Sequence, residues 1–511
     1  VMGSVRAQLL SDLAPVATID GTVAEATPSQ TLSITQGTAP RLSEQVDLQS
    51  YELAQASDGS SSEVGEAVAV GLSVSPGAMA LLGMLMTSDQ PAEEETEVEE
   101  TPAPPAPPPE PEFWTDADVA DSASTAITGS SADSFVGYTA ASTAAATSAL
   151  TNVGRGSGNV ATFDMSAGGD NFFVAGNDAA QSGGSLAYTG GSGDDTLTIG
   201  NHLAERSGSA TFDMSRGGNN AVDFGNAFAA SSGSLSYIGG AGVDDLLIGN
   251  ALAELSGTAT FDMSAGGNNT LVAEDYAADS GSLSYSGGSG DDSLTFGDDL
   301  AEIGTATFDM SAGGSNIFNA GSTAASNGSL TYTGGSGGDA LTFGADLGGR
   351  SGSVSLDLGG GSNSVVALNG AASGFGEIVY SGGSGNDSLV FGDGLANSAG
   401  DATFTMGDGS NSLSAGDSAA GPSGGYINYI GGLADDTLVF GDGLARGGTA
   451  TFSMGDGNNS LLATDRVASS VGALIYNGGN DADDLTFGDS FAANNSSIGR
   501  ATLNLGNGTN T

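Results

Sequence analysis

The chain has 511 residues, 85 of them Gly and none Cys, and carries a formal net charge of -52 from 61 acidic residues against nine basic ones, all Arg. A surface this acidic repels nucleic acid and anionic lipid, and the lack of Cys excludes disulfides and thiolate metal sites. The charge suits high salt, bound divalent cations, or the plain solubility of a repetitive chain.

The first stretch, 1–100, is acidic, rich in Ser, Thr and Ala, and free of repeats. It reads either as a small domain or as an irregular arm. Its opening residues, Val1 to Arg6, precede no sustained apolar core, so a signal peptide is not evident. The longest apolar run, Gly77 to Met86, is shorter than the ~18 residues a membrane helix needs, so no transmembrane segment is expected. Glu93–Glu95 and Glu99–Glu100 lead into a Pro-rich stretch, 101–113, with the spacing of a stiff, extended linker. A cap and irregular first coils are expected over 114–160, with Trp114 covering the first coil.

Repeats fill 161–511. One column of large apolar residues recurs every 23 to 27 positions: Phe163, Tyr188, Phe212, Tyr237, Phe261, Tyr285, Phe308, Tyr332, Leu356, Tyr380, Phe404, Tyr429, Phe452, Tyr476, Leu503. Tyr alternates with Phe or Leu, so the repeat is about 48 residues, built from two units of about 24. Two strand signals alternate apolar with small polar residues, as in Asp195–Gly200 and Thr258–Met263. Gly, Ser, Asn and Asp fill the connections, where tight corners favour positive φ. A single unit cannot bury its apolar face, whereas units stacked about 4.8 Å apart share one narrow core. The expected fold is all-β, a parallel β-solenoid of 24-residue coils with an internal aromatic ladder. A β-propeller ranks second, because its blades do not divide into two near-equal halves. The sequence stops at Gly506–Thr511, mid-corner and without a polar cap; the expectation is that the natural chain continues or that this end meets another molecule.

The corner before each first strand carries the most specific motif. Gly190-Gly191-Ser192-Gly193-Asp194-Asp195-Thr196-Leu197-Thr198 fits G-G-x-G-x-D-x-U-x, as do copies starting at Gly239, Gly287, Gly334 and Gly382. Copies at Gly431 and Gly478 replace the fourth-position Gly with Ala434 and Asp481 but keep the Asp. The motif resembles the calcium-binding nonapeptide of the RTX (haemolysin-type) β-roll proteins, a family that includes bacterial surface-layer proteins and adhesins. The resemblance covers the corners only. It implies Ca²⁺ held by backbone carbonyls and the Asp carboxylate, export in an unfolded state, and folding outside the cell. The pattern departs from the family in having one copy per 48 residues. The ligand column alternates without exception: Asn171, Asp195, Asn220, Asp244, Asn269, Asp292, Asn316, Asp339, Asn363, Asp387, Asn411, Asp436, Asn459, Asp483, Asn510. Two accounts stand. Either weak Ca²⁺ sites lie between Asp and Asn corners, with Asp195, Asp244, Asp292, Asp339, Asp387, Asp436, Asp483, Asn220, Asn269 and Asn316 as ligands. Or no metal binds, and Asn spaces the Asp residues about 9.6 Å apart in a hydrogen-bonded ladder.

Two further acidic series recur. Asp298, Asp299, Asp393, Asp442 and Asp489 read as solvated corner residues; Asp164, Asp213, Asp262, Asp309 and Asp357 stand outward on alternate second strands, where they either form an acidic stripe for cations or a partner or, the favoured reading, discourage lateral sheet pairing. No catalytic constellation is found. The only His, His202, occupies a corner position held elsewhere by Ala251 or Asp299, and no zinc motif or G-x-S-x-G elbow is placed for catalysis. A uniform ladder of carboxylates lacks the one unequal pair that acid–base chemistry needs. The expectation is a non-enzymatic, extracellular or cell-surface bacterial protein. It would self-associate into a homopolymer or lattice as a surface layer, sheath or filament, from a rod of about fifteen coils and about 70 Å. The alternatives are the stalk of a large secreted adhesin, attached to the cell surface, and the Ca²⁺-folded repeat passenger of a type I secreted enzyme.

Overall fold

A computed structural model describes residues 32–35, 43–46, 112–114, 125–129, 134–136, 150, 152–492 and 499–511. The chain divides into two units, Val1–Pro105 and Ala106–Thr511. In the first, the described residues are two strands, Leu32–Thr35 and Ser43–Val46, paired antiparallel. The apolar run at 77–86 and the Pro-rich stretch up to Pro111 lie outside the described residues. Glu112–Trp114 is the outermost strand of one sheet of the second unit, so pairing begins inside the stretch 101–113 read as a linker. The side chain of Trp114, expected as a cap, lies outside the described residues. Among the described residues no helix is long and apolar enough to cross a membrane.

The second unit is the expected β-solenoid. Each coil has two strands, one in each of two sixteen-stranded parallel sheets. In one coil, Thr196–Ile199 lies in sheet 1 and Ser185–Thr189 in sheet 2. Ser209–Asp213 and Asn220–Phe224 repeat the path in the next coil. The ladder pairs every strand with its equivalents one coil away: Tyr188 with Phe212 and Phe212 with Tyr237 in sheet 2, Leu197 with Val222 and Val222 with Leu246 in sheet 1. A propeller, whose blades are separate sheets, cannot give this pairing.

Alternation fixes which residues enter the core. Along Ser234–Ile238, Leu235 and Tyr237 point inward and are buried, while Ser234, Ser236 and Ile238 are partly exposed. The aromatic column of sheet 2 packs across the core onto sheet 1, with Phe212 and Phe224 ring centroids 5.3 Å apart and Phe163 and Phe173 4.8 Å apart. Each such ring, fully buried, contributes about 1.5–3 kcal/mol. This column joins coil to coil and makes one core of many units that could not fold alone.

The corner after sheet 1 differs from expectation in its residues. Its left-handed positions are filled largely by Ala, not only by Gly or Asn: Ala180, Ala204, Ala229 and Ala253 have φ of 52°, 55°, 51° and 55°. The conformation costs roughly 1–2 kcal/mol per residue for a side chain with a Cβ. Two gains offset it. The N–H of Ala204 donates to the Ala179 carbonyl at 2.9 Å, and that of Ala229 to Leu203 at 2.9 Å. The methyl groups are buried, beside Leu203 and its equivalent Leu252, which enter the core from this corner.

Candidate functional site

The Gly-rich corner carries the chain from sheet 2 to sheet 1 and delivers an Asp or Asn to the start of each sheet 1 strand. Parity decides where that side chain goes. Leu246 and Ile248 face the core, so Asp244, two residues before Leu246, faces inward as well. The whole column from Asn171 to Asp483 is at most 2% exposed.

The buried side chains bond along the stack. Asn171 donates its backbone N–H to Asp195 Oδ1 at 2.9 Å, and Asp195 donates its own to Asn220 Oδ1 at 3.1 Å. The same link recurs between every pair of neighbours to Asn510, fourteen times at 2.8–3.3 Å. The alternation now has a cause. Asn also offers an amide N–H, and Asn220 Nδ2 gives a second bond to Asp244 Oδ1 at 2.7 Å. Equivalent bonds join Asn171, Asn269, Asn316, Asn363 and Asn459 to the following Asp at 2.6–3.2 Å. An Asp in place of each Asn would supply no donor and would set carboxylates one coil apart.

The second carboxylate oxygen meets a tyrosine. Tyr and Asp are seven residues apart in every 48-residue repeat, and the Tyr380 hydroxyl donates to Asp387 Oδ2 at 2.8 Å. In the other six pairs both the hydroxyl and Oδ2 are buried and make no hydrogen bond. The first Gly of the motif closes this pocket: a Cβ on Gly239 would stand 2.5 Å from Asp244 Oδ2 and 2.6 Å from Met263 Sδ. That Gly is needed for close approach and not for positive φ, which corrects the turn-making role expected of it. Positive φ belongs to the Asn-bearing corners, as at Gly217 and Gly218.

Burial shifts both partners. It pushes the Asp195 carboxyl up to about 6, against the bonds from Asn171 that pull it down. Burial likewise raises Asp244, Asp292, Asp339, Asp387 and Asp436 above the ordinary carboxylate range. The seven tyrosines are raised by burial first and by the adjacent carboxylate second.

All ten residues expected to ligate calcium lie on this column: Asp195, Asp244, Asp292, Asp339, Asp387, Asp436, Asp483, Asn220, Asn269 and Asn316. The Oδ1 side of these Asp residues is set against the ion. Ca²⁺ takes six to eight oxygen ligands. Here each Asp Oδ1 is faced by N–H donors, which repel a cation. Gly239 lies close against the Asp244 Oδ2 side. Among the described residues no three carboxylate or imidazole groups converge.

Two exposed columns repeat the logic at the surface. One flanks the buried ladder: Asn219 N–H donates to Asp194 Oδ1 at 2.7 Å and Val243 N–H to Asn219 Oδ1 at 2.9 Å. The other follows sheet 1 and absorbs most of the acidic series read as solvated. Asp298 accepts the Ser322 N–H at 2.7 Å, Asp393 that of Asp417 at 2.8 Å, and Asp442 that of Asp465 at 3.2 Å. Asp489 donates its N–H to Asp465 at 2.7 Å, and Asp299 accepts the Thr323 hydroxyl. Asp298, Asp393 and Asp442 lie at the surface, yet each satisfies a corner amide of the next coil. Sequence reasoning missed Asp275, Asp417 and Asp465, although each stands 23 to 25 residues from Asp298, Asp393, Asp442 or Asp489 in the same column.

The outward acids of sheet 2 act locally: Asp164, Asp213, Asp262 and Asp309 each accept the N–H two residues on, at 3.0–3.1 Å. Asp357 occupies the equivalent outward position, paired with Thr333 and Ser381. His202 is a left-handed corner residue with φ of 65°, its Nδ1 3.4 Å from Glu205. A shallow open dent at the surface is lined by Ser373, Asp393, Asn397, Asp417 and Ser418. Comparisons of the chain with protein-family models, with curated proteins and with solved structures gave no match.

Proposed function

We propose that this chain is a structural protein, a self-associating β-solenoid rod of a bacterial surface layer, sheath or extracellular filament, held together without metal and without catalytic function. One observation carries the reading. The polar side chains that repeat most regularly are committed to joining one coil to the next, in one buried and two exposed ladders. Chemistry spent evenly along a stack builds length and stiffness; catalysis concentrates it at one unequal site. Sixteen strands per sheet at strand spacing give a stack about 75 Å long.

The test is electron microscopy and sedimentation of the full chain, in chelator and in millimolar Ca²⁺, with surface labelling of the source cells. Regular assemblies in both buffers and label on intact cells are the expected result. A chain that is unfolded in chelator and folds only with Ca²⁺ would overturn the metal-free ladder. A chain that stays monomeric in every buffer would overturn the assembly reading.

A further inference from the structure

The charge of this protein is unevenly placed. Sheet 1 presents two outward residues per strand, and across nine successive strands, from Thr270–Ala273 to Ser460–Ala463, none is charged. One outward row reads Val272, Thr295, Asn319, Thr342, Val366, Val390, Ser414, Val439, Leu462. The other reads Thr270, Ser293, Ile317, Ala340, Ser364, Ser388, Ser412, Thr437, Ser460. Ile317, Val390, Val439 and Leu462 are 50%, 41%, 38% and 40% exposed, high for apolar residues on a strand. In sheet 2 the longest run of strands without an outward charge is three, Tyr426–Ile430 to Ala473–Gly478. Chance sparing of nine strands is a poor account in a chain with 61 acids.

We infer that this strip of sheet 1 is the face on which a second copy of the chain docks, side by side; the inference rests on the assembly reading above and names its contact. Charge argues for a copy as the occupant. A basic partner would be drawn to the acidic corners and to sheet 2, whereas another chain of net charge -52 is repelled everywhere except along an uncharged strip. Shape argues the same way. Both copies present the same rows at the same strand spacing, so a two-fold axis lying in the plane of the contact, perpendicular to the rods, sets antiparallel rods face to face about 10 Å apart. Area suffices: the strip is about 40 Å by 13 Å, so the pair covers about 1,000 Å², the lower bound for a specific interface. Carboxylates of Asp393, Asp417 and Asp442 rim it. Salt must therefore strengthen the pairing, by screening rims that lie about one Debye length apart.

Sedimentation equilibrium of the full chain in low salt and in about 0.5 M NaCl tests this. The wild type should pair more tightly in high salt. Val390→Glu and Ser388→Glu should each weaken pairing by about tenfold or more. Thr331→Glu, outward on sheet 2, should leave it unchanged, and all three should keep the wild-type circular dichroism. Assemblies that survive both sheet 1 variants would overturn this inference and leave the structural reading standing. A wild type that never associates would overturn both.

Discussion

The buried ladder predicts that this very acidic protein is stabilised by mild acid. Take Asp195. Its unfolded carboxyl titrates near 3.8, and burial in the folded coil pushes it up to about 6. The folded state then binds the proton more tightly than the unfolded state. Its stabilising contribution is complete below pH ~3.8 and is lost as pH rises through about 6. That rise corresponds to about 3 kcal/mol from this one site. The groups facing it are the Tyr188 hydroxyl, raised out of the titrating range, and Asp170 at the corner, whose charge acts in the same direction as burial. Five more carboxylates in the column are raised by the same cause, so the effect recurs along the stack. Heat melts of the full chain should give a higher midpoint near pH ~4.5 than near pH ~7.5. General self-repulsion has the same sign, so the decisive arm is Asp195→Asn. It keeps an oxygen for the Asn171 N–H, removes one of 61 acids, and should flatten the pH dependence of amide protection in peptides around 171–197. Protection that rises from pH ~4.5 to ~7.5, or an unchanged slope in Asp195→Asn, would refute the reasoning.

Two substitutions probe the ladder from its other members. Asn269→Asp sets three buried carboxylates on successive coils and removes the amide bond to Asp292 Oδ1. It should cost about 3–5 kcal/mol at neutral pH, and melts in mild acid should recover much of the loss. Gly239→Ala places a methyl 2.5 Å from Asp244 Oδ2. It should lower stability by about 1–3 kcal/mol, read as a reduced melting midpoint with secondary structure unchanged.

Much of the fold was legible because the solenoid repeats its causes. The aromatic column from Phe163 to Leu503 fixed both period and register, and the pairing of Tyr188 with Phe212 follows from it directly. The two strand types per coil were legible from alternation. What the motif concealed was direction. The G-G-x-G-x-D resemblance suggested a carboxylate turned toward the corner, while alternation already placed Asp195 on the same side as Leu197 and Ile199. The seven-residue step from Tyr188 to Asp195, repeated to Tyr476 and Asp483, was a second unused signal. The left-handed Ala residues had no local signal, because their conformation is imposed by bonds between coils and not by their own preference.

The alternating ladder also sets a rule for how such a chain can change length. Excising one coil, residues 209–233 for example, would seat Asp195 directly on Asp244 and Tyr188 on Tyr237, with no amide between the two acids. Excising or duplicating two coils restores every neighbour. Viable insertions and deletions in this array should therefore come in even numbers of coils, so that its length is counted in pairs.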